Sequence, residues 1–512
     1  LQGLALDWPA PLGKTAAAPL PLRYEMGLLA PGNQGPRDRV SIDLGTASAP
    51  VAQAAFEREW RGTVPHVPRG YVRLNGQAPT TTPPTTTPSD MPSSGIQADI
   101  NLPTLDLDRW GQLWSGDSGA AAGTGVPVHN RYWPTALRLQ ADTVLQAGRG
   151  FHQVLMGATQ ENGIWRANVQ SREANGYAEY RPNTSTQPGR VYARLAQLTL
   201  NPTMTTGVEN LLDQHPTSIP ALDIEVQDFE LNGRKLGQLD IEASNRGGTP
   251  ANPDAVREWR LTRLNLALPE ATLEGSGNWA SLGAQSNSTR GSSARRTALT
   301  FKLDIRDSGA LLKRFGMADT IRGGKGSLQG TLGWLGSPAS IHYPSLNGQL
   351  ALALERGQFL KADPGIAKLL GVLSLQSLPR RLVLDFRDVF SEGFVFDFVR
   401  GDAKVEQGVA STNNLQMKGV TAAVLLEGSA DLANETQDIT AVVIPELNAG
   451  TASLLATAIN PAVGLGTFLA QFFLRQPLQD ATTQQFRITG PWAEPKVEKI
   501  AKRAVVREGN SP

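Results

Sequence analysis

Four short patterns in this sequence have the residue types of known chemistry. Gly116-Asp117-Ser118-Gly119 spells the tetrapeptide that surrounds a trypsin-like serine nucleophile. A nucleophilic serine also needs a histidine and a carboxylate held in geometry, and the expected histidine context upstream is missing. Gly323-Gly324-Lys325-Gly326-Ser327 has the composition of a phosphate-cradling loop. A P-loop, however, places Lys directly before Ser/Thr at the start of a helix. Here Lys325 precedes glycine, and the strand-like residues Leu328 to Leu332 follow, so the segment reads as a turn. The five histidines (His66, His129, His152, His215, His342) stand singly, with no ligand spacing for a metal. Acidic pairs such as Asp106/Asp108 and Asp385/Asp388 fall on alternating or turn positions, as on a solvated strand edge. With no cysteine, thiolate chemistry and disulfides are excluded as well. No catalytic set survives, so the reading is non-enzymatic, with no cofactor and no metal.

The elements that carry these residues are mostly strands. Leu299, Phe301, Leu303 and Ile305 alternate with Thr300, Lys302, Asp304 and Arg306, the period of a half-buried strand. The pattern returns at Leu382, Leu384 and Phe386, and again at Phe394, Phe396 and Phe398 after the turn signal Ser391-Glu392-Gly393. Further short strands are expected at 222–231, 259–268, 346–354, 408–417, 420–428 and 437–444. Frequent glycine turns between short strands argue for antiparallel meanders. The Thr/Pro tract at 78–95, the Gly/Ala/Ser-rich 116–125 and the Ser/Asn/Arg-rich 281–296 read as loops on a scaffold.

A chain of 512 residues exceeds one compact core, and a net charge of +1 offers no field for nucleic acid. It begins at Leu1 with no leader, as a piece of a longer protein or a processed form would. Helical patterns are few. Residues 364–375 place Ile366, Leu369, Leu370 and Leu373 on one face, and Leu465, Phe468, Leu469, Phe472 and Phe473 form an i, i+3, i+4, i+7, i+8 stripe. Asn460-Pro461 breaks the apolar stretch 447–474, which predicts two short helices in a hairpin rather than a transmembrane span. Such a hairpin either plugs the end of the sheet or contacts lipid and membrane through those five residues. The tail 496–512 is rich in Lys and Arg, suited to anionic headgroups or to a solvated terminus. Many strands with one apolar face and few helices to cover them leave two solutions: paired sheets, or one curled sheet with an apolar trough.

The C-terminal third carries a specific resemblance. GQFLKADPG (357–365), IAKLLGVLSLQSLPRRL (366–382), LDFRDVFSEGFVFD (384–397), ETQDITAVVIPELNAG (435–450), INPAVGLGTFLAQ (459–471) and ITGPWAEPKV (488–497) resemble the AsmA-like family, YhdP type. GKGSLQGTLGWLGSP (324–338) is similar to the repeat grammar of the wider group, and 158–171 and 193–200 match it more loosely. The resemblance implies an elongated, curled antiparallel sheet forming an apolar groove. It further implies bridge-like, non-enzymatic phospholipid transport across the periplasm of a Gram-negative envelope. An inner-membrane anchor would lie before Leu1, and the C-terminal end would approach the outer membrane. The expected layout is a β-rich segment 1–205 with insertions at 78–95 and 115–127. A groove region 206–495 follows, with helices near 364–375 and 451–475, and then the basic tail. Expected partners are phospholipid acyl chains and the two membranes. Leu299, Phe301, Leu303, Ile305, Leu382, Leu384, Phe386, Phe394, Phe396 and Phe398 are the expected groove lining. A structural or assembly role at the outer membrane, without lipid conduction, is the alternative.

Overall fold

The structure is a computed structural model. It describes residues 1–32, 35–46, 49–61, 64–75, 91–115, 131–146, 149–182, 188–201, 220–246, 258–281, 295–338, 340–360, 394–420, 422–445, 459, 462, 464–475, 483–493 and 495–500. Two compact units are present: residues Leu1–Leu211 with Pro220–Lys235, and Leu212–Ile219 with Leu236–Pro512.

The first unit holds β1 (Leu22–Gly32), β2 (Gly35–Thr46), β3 (Ala49–Arg61), β4 (Val64–Asn75), β5 (Gly95–Asp106), helix α1 (Leu107–Ser115), β6 (Ala136–Gln146), β7 (Arg149–Glu161), β8 (Ile164–Gln170), β9 (Ala174–Arg181), β10 (Arg190–Leu200) and β11 (Ala221–Leu231). The second unit takes nearly all of β12 (Arg234–Arg246), then β13 (Glu258–Ala267), β14 (Ala271–Ser281), β15 (Arg295–Ile305), helix α2 (Ser308–Arg314), β16 (Ile321–Leu335) and β17 (Asn347–Phe359). It continues with β18 (Phe394–Glu406), β19 (Val409–Gly419), β20 (Ala422–Asp431), β21 (Thr436–Pro445), helix α3 (Gly464–Arg475), β22 (Gln484–Pro491) and β23 (Lys496–Lys499). The expected mainly β class is met: each unit is a predominantly antiparallel sheet with short helices. Strand follows strand in sequence order, and no pairing among the described residues joins β1 to β11 or β12 to β23.

Tight turns set the antiparallel register. Asn162-Gly163 joins β7 to β8 with φ of 52° and 76°, and Gln407-Gly408 joins β18 to β19 with 49° and 82°. Two consecutive left-handed residues make the turn whose twist matches the flanking strands. Three joints in the first unit depart from the meander: β4–β5, β5–β6 and β10–β11 pair in parallel. A parallel neighbour requires the chain to travel back along the strand, which takes about a dozen residues or more. The Thr/Pro tract lies on the β4–β5 connection and the 116–125 segment on the β5–β6 connection. By their place in the sequence these stretches provide the chain length that such a return requires.

The Gly323–Ser327 motif, expected as a turn, lies inside β16. It marks a defect shared by three strands. Ile321, Phe359 and Phe394 are paired neighbours in one buried cluster, and so are Leu354 and Val399 five residues away. An odd separation puts same-face residues out of alternation, so each strand must hold one extra residue between them. The left-handed φ values of Gly323 (64°), Gly324 (82°) and Arg356 (52°) sit at this line. The extra residue is absorbed between β18 and β19, where the register shifts between Phe396 and Phe398.

Packing at that line is tight. The Phe396 ring, 1% exposed, lies 5.1 Å from the Phe359 ring. A Cβ at Gly357 would come within 2.5 Å of the Phe396 ring. Gly357→Ala must therefore displace Phe396, with an expected loss of about 1–3 kcal/mol, read as a lowered thermal midpoint by circular dichroism.

Helix α2 is fastened at both ends. The Asp307 side chain accepts from the Ala310 N–H at 2.9 Å, and the Arg314 Nε donates to Glu270 Oε2 at 2.9 Å. The hydrogen bond from Arg314 holds the Glu270 carboxyl below its ordinary value of 4.5, against the opposing effect of partial burial. A depressed folded-state value adds stability above the unfolded pKa, and that stability is lost as pH falls through the folded value. Urea midpoints of the parent and of Glu270→Gln should therefore differ at neutral pH and converge as acidification carries the pH through the lowered folded-state value.

Candidate apolar face and its lining

Reading the strand pairings across each unit reveals rows that no single strand displays. In the first unit, Leu22, Leu44, Ala52, Leu74, Ile100, Leu139, Met156, Val169, Gly176, Leu195 and Val226 are successive partners from β1 to β11. Tyr24, Ile42, Ala54, Val72, Ala98, Leu137, Ala158, Ala167, Ala178, Ala193 and Ile224 form a second such row on the same face. Neither row contains a charged side chain across eleven strands, and the Tyr24 hydroxyl at the first strand is their one polar group. With strands about 4.8 Å apart, each row runs on the order of 48 Å.

The second unit repeats the arrangement. Leu239, Leu266, Leu273, Leu303, Leu328 and Leu352 pair in succession and end at Gly401. Beside them run Ile241, Leu264, Gly275, Phe301, Gly330, Leu350 and Ala403. Leu299, Phe301, Leu303 and Ile305, expected as groove lining, thus share one apolar face. Phe301 is buried at 8% exposure and the other three are half-buried.

The remaining expected residues divide. Phe394 and Phe396 belong to a protein-filled cluster with Leu312 of α2, Ile321, Leu354, Phe359 and Met417. Phe398 falls on the far side of the shared defect, paired with Glu355 and Lys418, with the Arg400 guanidinium 4.1 Å from its ring centre. It is therefore off the face that carries Phe396 and Val399, because the extra residue inverts the alternation read from sequence. Leu382, Leu384, Phe386, the 364–375 helix and the Gly116–Gly119 motif lie outside the described residues. In α3, Leu465 is buried against Ala423, Leu425, Val442, Ile444 and Ile459, with Phe468 and Leu469 packed on this cluster. It covers β20 and β21 on the side opposite Val424, Leu426 and Val443. The side chains of Phe472 and Phe473 lie outside the described set, and Leu474 is 82% exposed. Lys496–Lys499, the start of the basic tail, pairs with β22.

The opposite face is charged and laced across strands. In the first unit Arg23, Asp43, Gln53, Arg73, Asp99 and Arg138 are successive partners, alternating in sign around the single glutamine. The Gln53 amide donates to Asp43 at 3.1 Å, and Arg73 lies 3.8 Å from Asp99. Opposite charges directly across a strand pair stabilise it, and like charges would not. One charged pair intrudes on the apolar side: Arg58 donates twice to Asp38 at 2.8 Å, and the Trp60 indole donates at 2.9 Å. The hydrogen bond from Arg58 is the main reason the Asp38 carboxyl stays below its ordinary value. A cavity of about 1250 Å³ borders the Leu264–Ala403 row, with Arg263, Glu274, Lys302 and Lys404 among its walls. Those four alternate along their strands with the Phe301-face residues Leu264, Gly275, Phe301 and Ala403, which also border the hollow.

Among the described residues one histidine meets a carboxylate. His152 Nδ1 lies 2.7 Å from Glu173 Oε1, a dyad hidden from sequence reading by its spacing in the chain. Glu173 also accepts the His152 backbone N–H at 2.8 Å, beside Gln153 with φ of 54°. The pair thus pins an irregular turn of β7. The nearby Ser171 hydroxyl donates to the Ala174 carbonyl and is committed to that turn. Among the described residues no group of three or more His, Cys, Asp or Glu could hold a metal, and no helix is long and apolar enough to cross a membrane.

Sequence reasoning missed the rows of the first unit. Their members are largely alanine, glycine and single aliphatics, too weak a signal within one strand. Only the pairing register makes them continuous.

Comparison with known proteins accords with this architecture. The family described as YhdP protein matches residues 1–497. The intermembrane phospholipid transporter YhdP of Escherichia coli (strain K12) is 25% identical over 421 residues, covering 80% of this chain and 31% of the relative. The chain thus spans about a third of that relative's length. No solved structure matches. With nearly its whole length matched by the family, the chain belongs to the YhdP family.

Proposed function

We propose that this chain conducts phospholipid without catalysis, by holding acyl chains along the apolar rows while headgroups stay in water. The observation that carries the proposal is the continuity of those rows across every strand of the first unit and from β12 to β18 of the second. Among the described residues no second sheet lies over them. Two 16-carbon tails would cost about 25 kcal/mol to expose fully, at roughly 0.8 kcal/mol per CH₂. An apolar face that replaces water along the path removes most of that cost. The related transporter is named for phospholipid movement between membranes. By extension, this chain serves in the periplasm of a Gram-negative envelope. The full-length protein is anchored in the inner membrane, and the C-terminal end lies toward the outer membrane.

Charged residues placed on the rows should abolish occupancy. In Ala167→Asp and Ala178→Lys, on a half-buried row of the first unit, phospholipid recovered with detergent-free protein, quantified by mass spectrometry, should fall well below the parent. Circular dichroism would establish that the sheet persists. Unchanged lipid yield from folded variants would remove the basis of the proposal.

The cluster around Phe396 favours a second reading for one region, since its apolar groups are sealed by protein. A structural or assembly role would extend that sealing throughout, and purified chain would then carry no lipid. For helix α3, we place its exposed edge at a membrane or lipid surface. Leu474→Glu should reduce flotation with anionic liposomes and leave the thermal midpoint unchanged, because Leu474 is mostly exposed. Equal flotation would leave α3 as a cover for β20 and β21 alone.

A further inference from the structure

The apolar face of the first unit has two unlike borders. At one set of strand ends protein closes it: Leu12 and, from α1, Trp110 join Leu102, Leu105 and Val144 in a buried cluster. From β2 to β7 the row that begins at Leu44 packs on this cluster. At the opposite strand ends the face changes character. Gln160, Trp165 and Tyr180 are successive partners on β7, β8 and β9. Each lies two residues beyond an alanine of the second row (Ala158, Ala167 and Ala178), so all three share the apolar face. Gln160 and Trp165 are half-buried, and Tyr180 is 48% exposed. Among the described residues the Gln160 amide, the Trp165 indole N–H and the Tyr180 hydroxyl meet no hydrogen-bond partner. On the other face of the same strands the polar groups are engaged. The Tyr177 hydroxyl donates to Glu179 at 2.6 Å, and Arg166 donates to Glu161 at 2.9 Å. The Asp38–Arg58 pair stands on the same border, at β2 and β3.

We propose that Gln160, Trp165 and Tyr180 form a headgroup lip, whose donors take the ester and phosphate oxygens of a phospholipid with its tails over the alanine row. Ester and phosphate oxygens are acceptors, and all three side chains can donate. An indole or phenol has an apolar body and a polar tip, which suits the boundary between hydrocarbon and water. The closed border is unfit for a headgroup. A phosphate among Leu12, Leu105 and Trp110 would lose its hydration with no compensating charge. The face is thereby polarised across its width, and lipid lies on it in one orientation. The inference rests on the lipid-conduction reading and adds that orientation to it.

The chain has no cysteine, so a single engineered thiol can carry a bimane fluorophore without interference. On β10, Val191 pairs with Tyr180 at the lip and Leu195 pairs with Gly176 on the inner row. Four residues along a strand separate them by about 13 Å. Val191→Cys and Leu195→Cys, each labelled and shown by circular dichroism to keep the sheet, are loaded with nitroxide-bearing phosphatidylcholine. A headgroup nitroxide should quench position 191 several-fold more than 195, and a nitroxide at a tail end should do the reverse. Adding Gln160→Leu, Trp165→Phe and Tyr180→Phe together should cut headgroup quenching at 191 several-fold and leave tail quenching at 195 in place. Headgroup quenching at 195 equal to or above that at 191 would overturn the lip and leave conduction intact. Undiminished headgroup quenching in the triple variant would overturn the role of the three donors. Absence of quenching by either label at both positions would overturn lipid conduction itself, and the lip with it.

Discussion

Every strand in this protein must satisfy its backbone hydrogen bonds through its neighbours, and that obligation fixes which side chains become neighbours. Side chains alternate with a period of two, so a slip of one residue anywhere would move an entire strand's apolar set to the charged face. Continuity of a row over eleven strands therefore requires ten successive registers to agree. Left-handed turns such as Asn162-Gly163 lock hairpin registers locally. At the parallel joints no tight turn is available, and the register there must be held by the ladder and by side-chain pairing. Gln53 with Asp43 and Arg73 with Asp99 lie on the charged face beside β4–β5 and supply part of that discrimination. A slipped register would set apolar side chains against these charges.

The two faces thus depend on each other. Burying apolar rows stabilises the curl, while the alternating charges of the other face make the inverted arrangement costly. The outermost strands differ sharply in the same terms. β23 is four residues long and reads Lys496-Val497-Glu498-Lys499, a short and charged edge of the kind that resists further pairing. β1 is eleven residues long, and Leu22, Tyr24, Met26 and Leu28 on one of its faces are exposed, Leu28 at 86%.

Much of the fold was legible because strand alternation is a local signal. Leu299 to Ile305 announced one apolar face within seven residues, and β15 presents it. Alternation is legible, however, only while the pleat is unbroken. Phe394, Phe396 and Phe398 look equivalent, yet an extra residue carried jointly by β16, β17 and β18 separates the third from the first two. Its cause lies partly in Gly323-Gly324 and Arg356, far away in sequence and aligned only by pairing. The rows of the first unit were illegible for a different reason: Ala54, Ala98, Ala158, Ala167, Ala178 and Ala193 carry no periodic weight individually. The parallel joints were hidden because a long polar tract reads as a loop whichever way the next strand runs.

Row composition bears on what such a face can do. A carrier that must release its cargo cannot hold it much more tightly at one point than the next, since about 1.4 kcal/mol already multiplies dwell tenfold. Uniformity is easiest with many similar aliphatic contacts, each worth a few tenths of a kcal/mol at contact distance, and no deep pocket. The leucine row from Leu239 to Leu352 is of this kind, six like side chains at one spacing. A ring or a charge along the path would break the sequence of equal steps. Phe301 stands among glycines at Gly275 and Gly330, which offsets its bulk within its own row. The rings of Phe359, Phe394 and Phe396 are gathered behind α2, beyond the shared defect, where they stabilise the sheet. The inversion of the pleat therefore separates two jobs that one continuous aromatic face would confound. Three of the rings lie in a sealed core, and the leucine row on the other side of the defect keeps near-equivalent aliphatic surface.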